Sequence, residues 1–364
     1  MKLKELCSFL DSSVPLSYQE SYDNCGLQAG DPEKEISAGL LTLDVTEEVL
    51  DEALTRKCDV IISHHPLIFN PLKRLTGSNY VERIIASALK NDIAVYSAHT
   101  NLDTISGGVS RKMAEKIDLV NVRVLAPLGN RLLKLVVFIP ENYLDKVKDA
   151  VFDAGGGVTG NYDHCSFSVP GTGSFRPGDK AHPFVGKKGK LQLEREVRFE
   201  TVLFSERKEK VISAMLRTHP YEEPAYDIYT LENDNVDIGM GCVGDLKAAL
   251  DRKKFLELVS SVFDTGCIRY SGFNGNRISK VALCGGAGSS LLKDAITSGA
   301  DAFITADIRY HSFFETENRI LLADIGHYES EKFSVEILND LIIKKFPTFA
   351  LRFSEINTNP INYL

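Results

Sequence analysis

With 364 residues, 42 lysines and arginines against 50 aspartates and glutamates, and a formal net charge of −8, the chain is longer than one typical domain and lacks the positive excess of a broad nucleic-acid-binding face. Apolar and charged fractions of 43% and 25% are those of a globular protein, and no apolar run approaches the roughly 20 residues of a membrane helix. The seven cysteines (Cys7, Cys25, Cys58, Cys165, Cys242, Cys267, Cys284) are odd in number and form no Cys-x-x-Cys pair, which fits reduced thiols in a cytoplasm and excludes an evident disulfide framework or zinc ribbon.

Leu3, Leu6 and Leu10 share one face of a short N-terminal helix, and no signal-peptide apolar region follows. Residues 38–44 read as a strand, and Thr46 with Glu47 and Glu48 as the capped, acidic start of a helix. Residues 58–62 form a second strand, 81–89 a helix and 94–97 a third strand, followed by an amphipathic stretch over 109–117. This β-α-β-α-β rhythm predicts a parallel sheet with helices on its faces.

The rhythm changes near Pro127. Strands at 133–139, 165–169, 200–204 and 225–230 alternate with helices at 144–154 and 207–217, which predicts a ferredoxin-like split β-α-β module over residues 128–235. After it the first rhythm returns: a helix at 255–263, a strand at 280–284, a helix at 289–298, strands at 302–305 and 320–325, and a long amphipathic helix over 331–345. The expected architecture is therefore α/β. Two sheet-based halves, 1–127 and 236–364, with helices on their faces, form one unit interrupted by an α+β insert.

In open parallel sheets, ligands bind beyond the carboxyl ends of strands. Here polar residues accumulate at those ends: His64 and His65 after the second strand, His99 and Asp103 after the third, Asp307, Tyr310 and His311 after 302–305, and His327 and Glu331 after 320–325. Adjacent histidines on an extended backbone point to opposite faces, so His64 and His65 can serve one site only if the strand ends there, and Pro66 supports a turn. His327 and Glu331 are four apart, so one helical turn brings them to the same side. Taken singly, these features read better as ordinary loop histidines and a solvated helix start; their convergence is what points to a site. Three imidazoles and two carboxylates together exceed what one catalytic ion takes and suit two ions with a bridging carboxylate.

Six ordered strings carry a family resemblance: 23–30 (DNCGLQAG), 63–66 (SHHP), 99–103 (HTNLD), 284–288 (CGGAG), 305–311 (TADIRYH) and 326–331 (GHYESE). They resemble the motifs of the dinuclear-metal-centre, NGG-interacting-factor-three-like family, whose bacterial members are labelled GTP cyclohydrolase I type 2. The middle segment resembles the PII/CutA-like insert of the longer bacterial members, with 219–224 (HPYEEP) as its most telling string. The resemblance implies metal ligands at His64, His65, Asp103, His327 and Glu331, with His99 and His311 lining the cavity, and a toroidal homohexamer with its metal sites facing inward. Thr305-Ala306-Asp307 departs from the family, many of whose members carry a glycine before the acid; no implied ligand is affected.

The expected function is a metal-dependent hydrolase of the cytoplasm. Two divalent ions, zinc, iron(II) or manganese, would activate a water, which in a GTP cyclohydrolase attacks C8 of the purine and leads to formate release. His99 and His311 would move protons or support a ligand carboxylate. The competing reading is a non-catalytic, metal-binding regulatory assembly whose insert senses a small ligand. The glycine-rich 285–288 string is either a phosphate cradle or a tight turn, and His219 with Glu222 either binds a small ligand or braces a rigid turn.

Overall fold

The computed structural model describes residues 1–129, 131–233 and 235–364. The chain divides into two compact units, Met1–Pro127 with Val236–Leu364, and Leu128–Asn235.

The first sheet of the larger unit is built on β3 (Val60–Ser63), whose Val60, Ile61 and Ile62 are completely buried. Val60 and Ile62 face α1 (Leu3–Ser13) and α11 (Ser334–Lys345), meeting Leu3, Leu6 and Leu10 of the first and Leu338 and Ile342 of the second. Ile61 faces the other way, towards α2 (Glu47–Thr55) and α3 (Tyr80–Lys90). Burial on both faces explains the unbroken apolar run, and each such side chain contributes on the order of 1.5–3 kcal/mol. β2 (Ala38–Thr42), β4 (Ala94–Ser97) and β15 (Ala350–Phe353) complete the parallel part, and β1 (Gly26–Ala29) pairs antiparallel with β4, in the order β1-β4-β3-β2-β15.

The second sheet has the order β11-β14-β13-β12-β10-β5. Its parallel centre is β12 (Ile278–Leu283), β13 (Ala302–Thr305) and β14 (Leu321–Asp324); β10 (Asn235–Leu250) and β11 (Arg269–Tyr270) run antiparallel to β12 and β14, and β5 (Val120–Leu128) forms the edge. One face packs on α5 (Val109–Lys116) and α8 (Arg252–Phe263), the other on α9 (Leu292–Thr297). Each half of the sequence lends a strand to the other's sheet: β5 precedes the insert and β15 follows it.

The smaller unit runs β6 (Leu132–Pro140), α6 (Leu144–Asp153), β7 (Ser166–Phe175), β8 (Gln192–Phe204), α7 (Lys208–Thr218) and β9 (Tyr226–Thr230). Its order is β7-β8-β6-β9 with every neighbouring pair antiparallel, the ferredoxin-like arrangement. Alternate residues of β6 (Leu133, Leu135, Val137, Ile139) meet Val147 and Val151 of α6 and Val211 and Met215 of α7.

The mixed α/β class and the ferredoxin-like insert agree with the expectation from sequence. Five strands had no expected counterpart: β1, β5, β10, β11 and β15. β1, β11 and β15 have four, two and four residues, too short for a period-2 pattern to register. β5 is mostly exposed or half-buried, and β10 carries Gly239, Gly241 and Gly244. The helix expected over 331–345 is α11, which starts three residues later at Ser334, and the helical turn expected to carry His327 and Glu331 is a separate short helix, α10 (His327–Glu331).

Candidate metal centre

β3 ends at Ser63, and the Ser63 hydroxyl donates to the His65 carbonyl at 2.8 Å, closing the turn that frees the two histidines from strand alternation. The His64 and His65 amides donate to the Thr42 and Leu43 carbonyls of the neighbouring chain. Beyond β4, the Asn101 side chain accepts from the His99 amide at 3.0 Å and starts α4 (Thr100–Thr104), the helical turn that carries Asp103. After β14, Gly326 turns the chain at φ 95° into α10, which places His327 and Glu331 four residues apart on one side.

The Oε2 atom of Glu331 is the hub. It lies 2.8 Å from His65 Nε2, 2.9 Å from His327 Nε2 and 3.8 Å from His64 Nε2. Asp103 Oδ1 lies 3.8 Å from His64 Nε2. The His99 ring stands 5.3 Å from the rings of both His64 and His65. Three overlapping triplets of donor atoms result, each within 4.8 Å: His64, His65 and His99; His65, His327 and Glu331; and His64, Asp103 and Glu331.

Every one of these imidazoles is held from behind through Nδ1. His64 donates to the Ala98 carbonyl at 2.8 Å, His65 to Asp44 at 2.7 Å, His99 to Asp23 at 2.9 Å and His327 to Asp307 at 2.7 Å. These partners only accept, so each Nδ1 carries the proton and each Nε2 offers its lone pair whenever the ring is neutral. Among the described residues, the buried side-chain atoms without a hydrogen-bond partner are His64 Nε2, Asp103 Oδ1 and Ser334 Oγ, and the first two belong to this cluster. Leaving a buried acceptor unpaired costs on the order of 1–3 kcal/mol, a penalty that a cation between the two atoms removes. The donor set therefore fits divalent metal.

Burial pushes the His64 imidazole down, towards the neutral form a metal requires. Burial also acts to lower His65, but its hydrogen bonds to Asp44 and Glu331 outweigh that and raise it to about 9; the same opposition at His327, with Asp307 and Glu331, ends at about 11. Burial and the neighbouring Glu331 charge raise Asp103 well above the usual carboxylate range, while the surrounding imidazoles hold Glu331 well below it against its own burial. Asp23 is likewise held low by His99 and Thr100 despite burial. Without metal, the protons on His65 and His327 are shared among the carboxylates of Glu331, Asp44 and Asp307.

The structure thus brings His64, His65, His99, Asp103, His327 and Glu331 together. His311 lies elsewhere: it is exposed on the short 3-10 segment Tyr310–Thr316, against the rings of Tyr310 and Phe314, and belongs to none of the triplets. The orienting roles of Asp23, Asp44 and Asp307 were not read from the sequence. Asp44 and Asp307 follow strands and Asp23 stands in a turn, positions that mark them as candidates without naming their partners. The glycine string resolves as a turn: Gly286 donates to Ser330 Oγ at 3.0 Å and Gly288 to Thr305 Oγ1 at 2.9 Å, so both amides are consumed internally. A Cβ on Gly286 would collide with the Glu331 carboxylate.

The chain resembles known proteins along nearly its whole length. The model of the Duf34/NIF3 (NGG1p interacting factor 3) family matches residues 1–360. A Bacillus subtilis protein named GTP cyclohydrolase 1 type 2 homolog is 40% identical over 371 aligned residues, covering 99% of this chain and 98% of that protein. A Halalkalibacterium halodurans protein of the same name is 38% identical over 357 residues, covering 96% and 95%. The crystal structure of a Bacillus cereus protein related to NIF3 superposes with a TM-score of 0.86 at 37% identity, covering 100% of this chain and 99% of that one.

Proposed function

This chain belongs to the Duf34/NIF3 family, and on that premise we propose that it is a hydrolase dependent on two divalent ions, acting on a purine nucleotide of the GTP type. The observation that carries the reading is the convergence of imidazole Nε2 atoms on Glu331 Oε2, each ring locked by an acceptor at Nδ1. Glu331, His64 and His65 each take part in two of the triplets, but only a carboxylate has two oxygens to offer two ions, so Glu331 would be the shared ligand, with His65 and His327 helping to hold one ion and His64 and Asp103 the other. Zinc, iron(II) and manganese all accept such a set. When bound, the ions supply the positive charge that makes a water nucleophilic near neutral pH.

The chain's own groups complete the chemistry. Asp23 holds His99 Nδ1–H at 2.9 Å, so Nε2 of His99 faces the cluster as the group that accepts and returns a proton during ring opening. Thr100 fixes Asp23 through both its amide and its hydroxyl, so the Asp23–His99 pair is positioned before substrate arrives. The choice of GTP, with attack at C8 and loss of formate, is supported by the name the Bacillus subtilis and Halalkalibacterium halodurans relatives carry. A homohexamer and a cytoplasmic location belong to the same proposal and rest on the family resemblance.

Formate release from GTP by metal-loaded protein tests it. Wild type is expected to turn over, His99→Ala to lose on the order of 10²–10⁴-fold in rate while keeping its metal, and Glu331→Gln to lose both. Metal-replete wild type no faster than the variants would contradict catalysis on GTP and favour the regulatory reading.

A further inference from the structure

The ferredoxin-like unit has a site of its own. Glu196, in the middle of β8, is paired on one side with Pro140 of β6 and on the other with Gly171 of β7, and is 8% exposed. It lies at the wall of a cavity of about 460 Å³, the size of a small-molecule pocket. The Tyr221 hydroxyl donates to Glu196 Oε1 at 2.9 Å. The other oxygen, Oε2, has no hydrogen bond among the described residues and lies over Gly173, another residue of the cavity, where any Cβ would collide with it. One oxygen of a largely buried carboxylate therefore opens onto the cavity with no protein group among the described residues to meet it.

Aromatic rings wall the same space. Phe175 stands 5.8 Å and Phe184 6.2 Å from the Tyr221 ring. The turn that presents Tyr221 is rigid, because His219 donates through Nε2 to the Phe138 carbonyl at 3.0 Å and accepts the Tyr221 amide at Nδ1 at 3.1 Å. Burial lowers His219, in keeping with that neutral tautomer. Glu222 accepts the His182 amide at 2.7 Å and so ties the loop that carries Phe184 to this turn. The HPYEEP string is therefore a brace, and its histidine is fully engaged inside the unit. The ionisable lining is Glu196, Glu222 and Glu223 against Arg176, a negative balance.

We propose that this cavity binds a small organic cation, a protonated amine on an apolar or aromatic body. The ammonium pairs with Glu196 Oε2, and the body lies among Phe175, Phe184 and Tyr221, where ring faces add cation–π attraction. A purely apolar ligand would seal the carboxylate away from water without a partner, and an anion would meet the acidic lining.

Ligand-observed NMR titration of the full-length protein tests this with phenethylamine, agmatine, spermidine and tetramethylammonium, and with 2-phenylethanol as the neutral counterpart of phenethylamine. At least one cation is expected to bind saturably, and phenethylamine at least tenfold more tightly than the alcohol. Glu196→Gln, nearly isosteric, is expected to abolish that preference, while Phe184→Ala, at an exposed position on the loop, weakens amine and alcohol alike. Should Glu196→Gln fail to fold, Tyr221→Phe, which frees Oε1 and keeps the ring, must retain the preference for the amine. Absence of saturable binding by all four cations, equal affinity for amine and alcohol, or an unchanged preference in Glu196→Gln would overturn the proposal.

Discussion

Asp44 shows how much of the site's chemistry lies one residue behind the ligands. It accepts from His65 Nδ1 at 2.7 Å and from the Thr358 hydroxyl at 2.7 Å, and so fixes both the tautomer and the direction of the ring. Against burial, Asp44 and Glu331 together raise the proton affinity of His65 to about 9, above the ordinary 6.5. In metal-free protein this contribution to stability is fully present below about pH 6.5 and is lost as pH rises through about 9. Metal binding has the opposite dependence, because the ion must displace that proton and the one on His327. Apparent zinc affinity is therefore expected to rise with pH, through about 9 for the His65 proton and about 11 for the His327 proton, by roughly tenfold per pH unit for each proton still to be displaced. Calorimetric zinc titrations at pH 7 in buffers of different ionisation enthalpy should show net proton release; release of none would contradict the protonated cluster. The side chains that cluster were legible in the sequence, since each follows an apolar run that reads as a strand. Their supports were not, because which acid stands behind which imidazole depends on strand order, and one acid after a strand looks like another. His311 is the opposite case. It follows a strand as His99 does, yet the chain enters a 3-10 segment and leaves the ring exposed.

At the scale of elements, α10 and the turn after β12 make one construction. The five residues of α10 carry two ligands, and they end before α11 because Lys332 and Phe333 interrupt the helix. The sequence shows a continuous amphipathic pattern from 331 onward, and periodicity alone does not register a break of two residues. The site depends on the break, since α10 must aim Glu331 inward while α11 packs its own apolar face on the first sheet. Glu331 fits only because Gly286, at φ 58°, presents no side chain beneath it. Gly286→Ala is expected to cost about 1–3 kcal/mol in backbone strain and to displace the Glu331 carboxylate, lowering zinc affinity by at least tenfold. Gly299→Ala, at φ 76° with nothing within 4 Å of the added Cβ, provides the control: it carries similar strain and should leave zinc affinity unchanged. Competition with a chromophoric chelator reads both. Equal zinc affinity in the two variants would remove the glycine string from the site's design.

At the scale of the molecule, the larger unit closes on itself through exchanged strands. β5 joins the second sheet before the insert begins, and β15 returns to the first after it. Asp245 accepts from Asn121 at 3.1 Å, and a Cβ on Gly239 would press on Ala126, so β5 and β10 run side by side in opposite directions and the insert takes the place of a hairpin loop. The α/β rhythm and the ferredoxin-like module could be read from periodicity, whereas the exchange could not, because it pairs strands of ordinary composition far apart in the chain, β15 and β2 being more than 300 residues apart. Its consequence is that the ligands arrive from both ends of the chain: His64, His65 and Asp103 from the first sheet, His327 and Glu331 from the second. The central claim is that these five side chains hold two ions with Glu331 shared. Metal content per chain, measured by mass spectrometry after loading with zinc and desalting, tests it most directly on wild type, His64→Ala and Glu331→Gln. The prediction is about two ions in wild type, about one in His64→Ala, which keeps His65, His327 and Glu331, and well under one in Glu331→Gln. About one ion or fewer in wild type, or two retained by Glu331→Gln, would contradict it.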